Sequence, residues 1–162
     1  MSSNLWHIYF MEMEWTQVWD KMMDVQLGLM GELEEVMNPL GLTGLTFHVL
    51  RFLVEAGGHL KLMEVAGKVH HSQSGTTRLV DRMEKDGFLQ RLACEADRRV
   101  TYAKITLEGE RIFKEAKPLW HQLIQLRLGE PLGSESGEAY LKLLSKIETS
   151  TTKRDGICPL GK

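Results

Sequence analysis

The sequence predicts a mainly α-helical chain with one small β-hairpin. Three observations lead there. Apolar residues recur at three- and four-residue steps through most of the 162 residues. Two short runs, 88–94 and 100–105, flank a charged link of five residues, Glu95-Ala96-Asp97-Arg98-Arg99. Cap and stop residues (Thr43, Ser72 and Thr106; Asn38-Pro39, Gly57-Gly58 and Gly87) divide the helical stretches into segments.

Residues 4–37 hold no proline and are rich in Met, Leu, Trp and Glu, mostly good helix formers. Leu5, Ile8, Trp15, Val18, Trp19, Met22, Leu29, Met30 and Leu33 draw a wide apolar stripe. That reads as one long helix, or two in series with Gly28 or Gly31 as soft points. Thr43 caps a mostly buried helix over 44–56, stopped by Gly57-Gly58. A short helix follows at about 62–70, and Ser72 caps another over 73–86. In that helix Thr76, Leu79, Val80 and Met83 turn inward. Ser74, Thr77, Arg78, Asp81, Arg82 and Lys85 turn outward.

After the hairpin, Thr106 caps a helix running to about Leu128, with Glu108 and Glu110 in its first turn, where carboxylates suit the helix dipole. Pro118 inside it predicts a kink. Residues 129–137 read as a turn region, 138–148 as a last helix, and the polar stretch from Thr149 as a tail.

Composition narrows the function classes. Hydrophobic residues make up 43% and the net charge is −2, which excludes a disordered chain. No apolar run approaches the roughly 18 residues of a membrane span. Met1-Ser2-Ser3-Asn4-Leu5 lacks basic residues, and Glu12, Glu14 and Asp20 interrupt the apolar stretch after it, so no targeting segment is expected. The chain reads as soluble and cytoplasmic. Cys94 and Cys158 match no zinc spacing and make no disulfide framework. His70-His71 is a poor metal pair, because adjacent helical residues point apart. No catalytic constellation, cofactor motif or metal motif is present, so an enzyme is not expected.

The net charge hides a division. Residues 1–41 hold one base and seven acids, a net of −6; residues 42–104 hold ten bases and seven acids, a net of +3; the remainder is +1. The basic middle is also where the short helix, the polar-faced helix and the hairpin lie. That order describes a winged helix-turn-helix. A helix with its side chains is about as wide as the major groove of B-DNA, and short polar residues at its N-terminal end reach base edges. Two arginines at a hairpin tip suit the narrow, electronegative minor groove.

The motifs are specific enough to carry a resemblance. Leu42-Thr43 with Phe47-His48-Val49-Leu50, then Met63-Glu64-Val65-Ala66, then the run from Ser72 to Arg91, then Asp97-Arg98-Arg99 with Ile105-Thr106-Leu107-Glu108-Gly109, resemble the MarR family of regulators in order and spacing. The match covers about 42–112 in motif and nearly the whole chain in element order. Gly44, Gly67 and Ile105 depart from the family's usual residues.

The resemblance implies a single domain over 1–162, with dimerisation helices at about 4–40 and 107–148, a winged-helix lobe at about 42–106 and a tail at 149–162. It implies a homodimer that binds a pseudo-palindromic operator in double-stranded DNA as a repressor, released by a small aromatic or phenolic ligand. The candidate DNA-contacting residues are Ser72, Gln73, Ser74, Thr76, Thr77, Arg78, Arg82, Arg98 and Arg99, although helical spacing turns Thr76 inward. Asp97 is expected to hold the wing, by pairing with a neighbouring Arg or capping backbone N–H groups. Trp15, Trp19, Met22, Phe47, His48 and Arg51 form a candidate ligand pocket, or simply core. The alternative is a ligand-binding or protein-interaction dimer that has lost DNA reading.

Overall fold

A computed structural model describes residues 3–152 except Glu95, Ala96 and Arg98, with side chains from Trp15 to Thr149. Cys158 and most of the expected tail lie outside the described residues. Among the described residues the chain gathers into two compact units that divide between His121 and Gln122.

In the first unit, α1 (Ser3–Met37) is one helix that passes through both Gly28 and Gly31. Leu33 and Met37 bury its C-terminal end. A 3-10 turn, Asn38–Leu40, follows, and Gly41 closes it in the left-handed conformation with φ of 71°. Helix α2 (Gly44–Glu55) begins where the Thr43 hydroxyl accepts the Thr46 N–H at 3.0 Å. Gly44 explains its own departure from the family pattern. Its N–H donates to the Glu34 carboxylate at 2.6 Å, and a Cβ there would stand 3.1 Å from the Leu33 side chain. The absence of a side chain lets α1 and α2 approach closely.

Strand β1 (His59–Lys61) was not expected from the sequence; it pairs antiparallel with β3. Helices α3 (Leu62–Lys68) and α4 (Gln73–Lys85) follow, then β2 (Leu89–Ala93) and β3 (Thr101–Ile105). The sheet order is β1-β3-β2, all antiparallel, with Leu89 opposite Ile105 and Arg91 opposite Ala103. One sheet face is buried through Leu89, Ala103 and Ile105. The core joins it to Phe47, Leu50 and Leu53 of α2, Val65 of α3, and Val80 and Met83 of α4. Helix α5 (Leu107–Ile124) adds Ile112, Phe113 and Ala116.

Thr106 ties α5 to the end of α4. Its hydroxyl accepts the Gly109 N–H at 3.0 Å and donates to the Gly87 carbonyl at 2.6 Å. The Gly109 backbone packs so closely on the Phe88 carbonyl that no Cβ fits. Helix α5 continues through Pro118, and a π-helical turn, Gln125–Gly129, replaces the expected last turn. In the second unit, α6 (Glu130–Thr152) is two helical segments joined across Gly133; the second covers the expected last helix from 138 and runs past Thr149. The expected turn region contracts to Gly133, the one non-helical residue inside α6, with φ of 63° and ψ of 176°. Among the described residues no helix is long and apolar enough to cross a membrane.

Candidate nucleic-acid interface

The exposed side of α4 is built from its first residue. The Ser72 hydroxyl accepts the Gly75 N–H at 3.1 Å and lies 3.2 Å from the Ser74 hydroxyl, so its first task is to cap the helix. Gln73, Ser74, Thr77, Arg78 and Arg82 are all exposed. The Thr77 hydroxyl donates to the Gln73 carbonyl at 2.9 Å, which leaves its oxygen free to accept. No described ion pair uses Arg78, Arg82 or Arg99. Guanidinium groups held at the surface without a carboxylate partner remain able to bind phosphate or the guanine edge.

Thr76 leaves the candidate set. It is 2% exposed, and its hydroxyl donates to the Ser72 carbonyl at 3.1 Å. Its place beside Val80 and Met83 puts it on the core side of the helix.

The wing is braced onto α4 by a residue to which sequence reasoning gave no role. Arg91, on the inward face of β2, places Nη1 2.7 Å from both Asp81 Oδ1 and Glu84 Oε2. Its Nη2 donates to the Thr77 carbonyl at 3.2 Å, and its backbone N–H donates to Glu84 Oε1 at 2.9 Å. At the wing tip the Asp97 carboxylate accepts the Arg99 backbone N–H at 3.0 Å, and the Val100 N–H donates to the Asp97 carbonyl at 2.9 Å. Arg99 is exposed there; Arg98 lies outside the described residues. Arg91 thus links the polar face of α4 to the strand that carries the tip.

The six candidate pocket residues do not converge. Phe47, His48 and Arg51 share an aromatic cluster, with Phe47 5.6 Å from the Phe113 ring and 5.4 Å from Trp120. The Arg51 guanidinium lies over the Phe52 ring at 4.4 Å and pairs with Glu55 at 2.7 Å. Trp15 and Trp19 stand 65% and 64% exposed on α1, and no ring contact among the described residues joins them to this cluster. Met22 is half-buried. Two buried polar atoms of the cluster, His48 Nδ1 and Arg51 Nε, have no hydrogen-bond partner. Burial, then the nearby Arg51 charge, hold the His48 imidazole below the ordinary histidine value, with Glu55 opposing. A separate cavity of about 390 Å³ lies between the end of α2 and the first half of α5, lined by Val54, Gly58, Ile105, Phe113, Lys114 and Lys117 among others. None of the six predicted residues lines it.

Residues 40–100, which hold the capped helices, the braced wing and the exposed arginines, match the model of the MarR family. Over 81 residues the chain is 38% identical to the uncharacterized HTH-type transcriptional regulator YsmB of Bacillus subtilis (strain 168), a match covering 50% of this chain and 55% of that protein. The chain spans little more than half the length of the curated relatives it matches, 55–59% for three of them. AbsC, a MarR family transcriptional regulator from Streptomyces coelicolor, shares the fold with a TM-score of 0.81 at 24% identity, over 86% of this chain and 95% of that one. Sco3205, a MarR family regulator from the same organism solved in complex with DNA, gives a TM-score of 0.81 at 20% identity, over 89% and 91%. These two likenesses carry the winged-helix fold.

Proposed function

We propose that this chain is a MarR-family transcription regulator that reads double-stranded DNA sequence-specifically. It acts as a homodimer on a pseudo-palindromic operator, as a repressor. Each protomer places α4 in the major groove and the wing in the flanking minor groove, with half-sites about one helical turn apart. The observation that carries this reading is the pairing pattern of the arginines. Arg91 is consumed in bracing the wing, whereas Arg78, Arg82 and Arg99 stand exposed without carboxylate partners on the surface that would meet DNA. The HTH-regulator name of YsmB and the DNA complex of Sco3205 support it.

Exposed apolar residues support the homodimer. On α1 these are Trp15, Trp19 and Leu27; on α6, considered separately, they are Leu141, Leu143 and Ile147. Exposed large apolar side chains of this kind suit a protein–protein interface. We place the ligand response at His48 and Arg51, where two unsatisfied buried polar atoms in an aromatic frame suit a small aromatic or phenolic ligand. Binding there would shift the dimer toward a half-site spacing that no longer fits.

Gel shifts at several salt concentrations, with a duplex recovered from a random pool and with a scrambled duplex, test the reading. Preferential, salt-sensitive retention of the selected duplex supports it. Equal retention of both, or affinity that ignores salt, overturns it.

A further inference from the structure

The turn between α3 and α4 carries two histidines for which neither the fold nor the proposed reading accounts. After Lys68 the chain closes α3 with His70 in the left-handed conformation, φ 51°. Its N–H donates to the Gly67 carbonyl and that of His71 to the Ala66 carbonyl at 3.2 Å. A left-handed position at a helix end favours glycine, because a Cβ crowds the backbone there. Every other positive-φ position among the described residues is glycine: Gly41, Gly57, Gly58, Gly87 and Gly133. His70 is the one described exception, and strain of this kind collects at functional positions.

Both imidazoles are exposed. His71 lies against the first turn of α4, its Nδ1 only 3.4 Å from where a Cβ on Gly75 would stand. The pair therefore borders Gln73 and Ser74, at the end of α4 that enters the groove. The charged groups of the flanking helices are engaged elsewhere or absent. On α3, the Glu64 carboxylate accepts the Lys61 N–H at 2.9 Å, and the Lys68 ammonium lies 5.1 Å over the Phe52 ring of α2. The first turn of α4 holds no acid, and its first charged residue is Arg78. No described ion pair uses either histidine.

We propose that His70 and His71 form a proton-dependent phosphate contact beside the recognition helix, so that DNA binding strengthens as pH falls. An imidazolium donates from both ring nitrogens and carries a charge, whereas the neutral ring offers one donor and one acceptor. Histidine is the side chain whose charge changes between about pH 5 and 8. A phosphate held by the charged form draws a proton onto the protein when the complex forms, and linkage then ties affinity to pH. The inference rests on the DNA-binding reading above.

The test uses the full chain and a labelled duplex selected from a random pool, with fluorescence anisotropy at pH 6 and pH 8 and constant ionic strength. The parent should bind about tenfold more tightly at pH 6. The double variant His70→Gly, His71→Asn should bind equally at both pH values. Because glycine relieves the left-handed turn, the thermal midpoint of this variant should be at least that of the parent, so that loss of the pH effect is not loss of fold. The variant Arg78→Ala should relax sequence preference at one or two positions yet keep the pH effect. Equal parental affinity at the two pH values, or a double variant that retains the gain, overturns this proposal and leaves the DNA reading standing. A parent with no sequence-preferring binding at either pH overturns both.

Discussion

Arg91 and Asp81 meet at 2.7 Å across the gap between β2 and α4, with the same guanidinium also on Glu84 and on the Thr77 carbonyl. The contact ties the strand leading to the wing tip to the helix that carries the proposed DNA-reading side chains. Replacing Arg91 by Ala leaves Asp81 and Glu84 as unpaired neighbours. Urea unfolding should show a loss of about 2 kcal/mol, the scale of hydrogen bonds to charged groups in a half-buried network. DNA affinity should fall by more than stability alone explains, because wing and helix no longer hold a fixed relation. An Arg91→Ala protein that keeps parental affinity would show that the brace does not orient the wing.

Two of the exposed arginines, Arg78 and Arg99, should separate by role. Arg78→Ala should relax sequence preference at one or two operator positions, at a cost of about 1–3 kcal/mol there. Arg99→Ala should weaken binding evenly across sequences and lower the salt slope by about one per protomer. Anisotropy titrations on a set of single-base operator variants at two salt concentrations distinguish the two patterns.

Gly109 should tolerate no side chain. A Cβ there meets the Phe88 carbonyl and Ile105, so Gly109→Ala must displace the start of α5 from the base of the wing. A destabilisation of about 1–3 kcal/mol is expected from such overpacking, read by urea unfolding. Thr106→Ala removes the neighbouring cap and its bond to the Gly87 carbonyl, and should cost about 1 kcal/mol.

His48 should make the fold sensitive to acid. Burial and the Arg51 charge hold its folded-state value below the ordinary 6.5. The unfolded chain therefore binds the proton more readily between the two values. The stabilisation from a neutral His48 is fully present above about pH 6.5 and is lost as pH falls below it toward the folded value. The thermal midpoint of the parent should drop between pH 7 and pH 5.5, and His48→Gln should flatten part of that slope. An identical slope in the variant would contradict this role.

Much of the wing lobe was legible because its signals are local. Ser72, Thr106 and Gly87 mark boundaries by their own chemistry, and Thr76, Val80 and Met83 turn inward by helical spacing alone. What escaped depends on distant partners. His59-Leu60-Lys61 is too short to show alternation, and its strand character comes from pairing with Tyr102–Lys104, some forty residues on. Arg91 looks like an ordinary surface charge until the register opposite Ala103 turns it under α4. Pro131, Gly133 and Gly137 read together as a turn, whereas the helical path breaks at Gly133 alone, whose φ of 63° suits glycine. The candidate pocket drew Trp15 and Trp19 together with Phe47 because all are aromatic at helical spacing. Spacing does not say which helix face a neighbour covers, and the two tryptophans stand exposed.

The central claim is that the α4 face and the wing read DNA by sequence. Its most direct test is selection of bound duplexes from a random pool by the purified chain, followed by anisotropy on the recovered and scrambled duplexes at 100 and 200 mM salt. The account predicts an imperfect palindrome with half-sites about 10 base pairs apart, bound at least about a thousandfold more tightly than the scrambled duplex and weakening steeply with salt. A pool that yields no enriched sequence, or equal affinity for both duplexes, would contradict it.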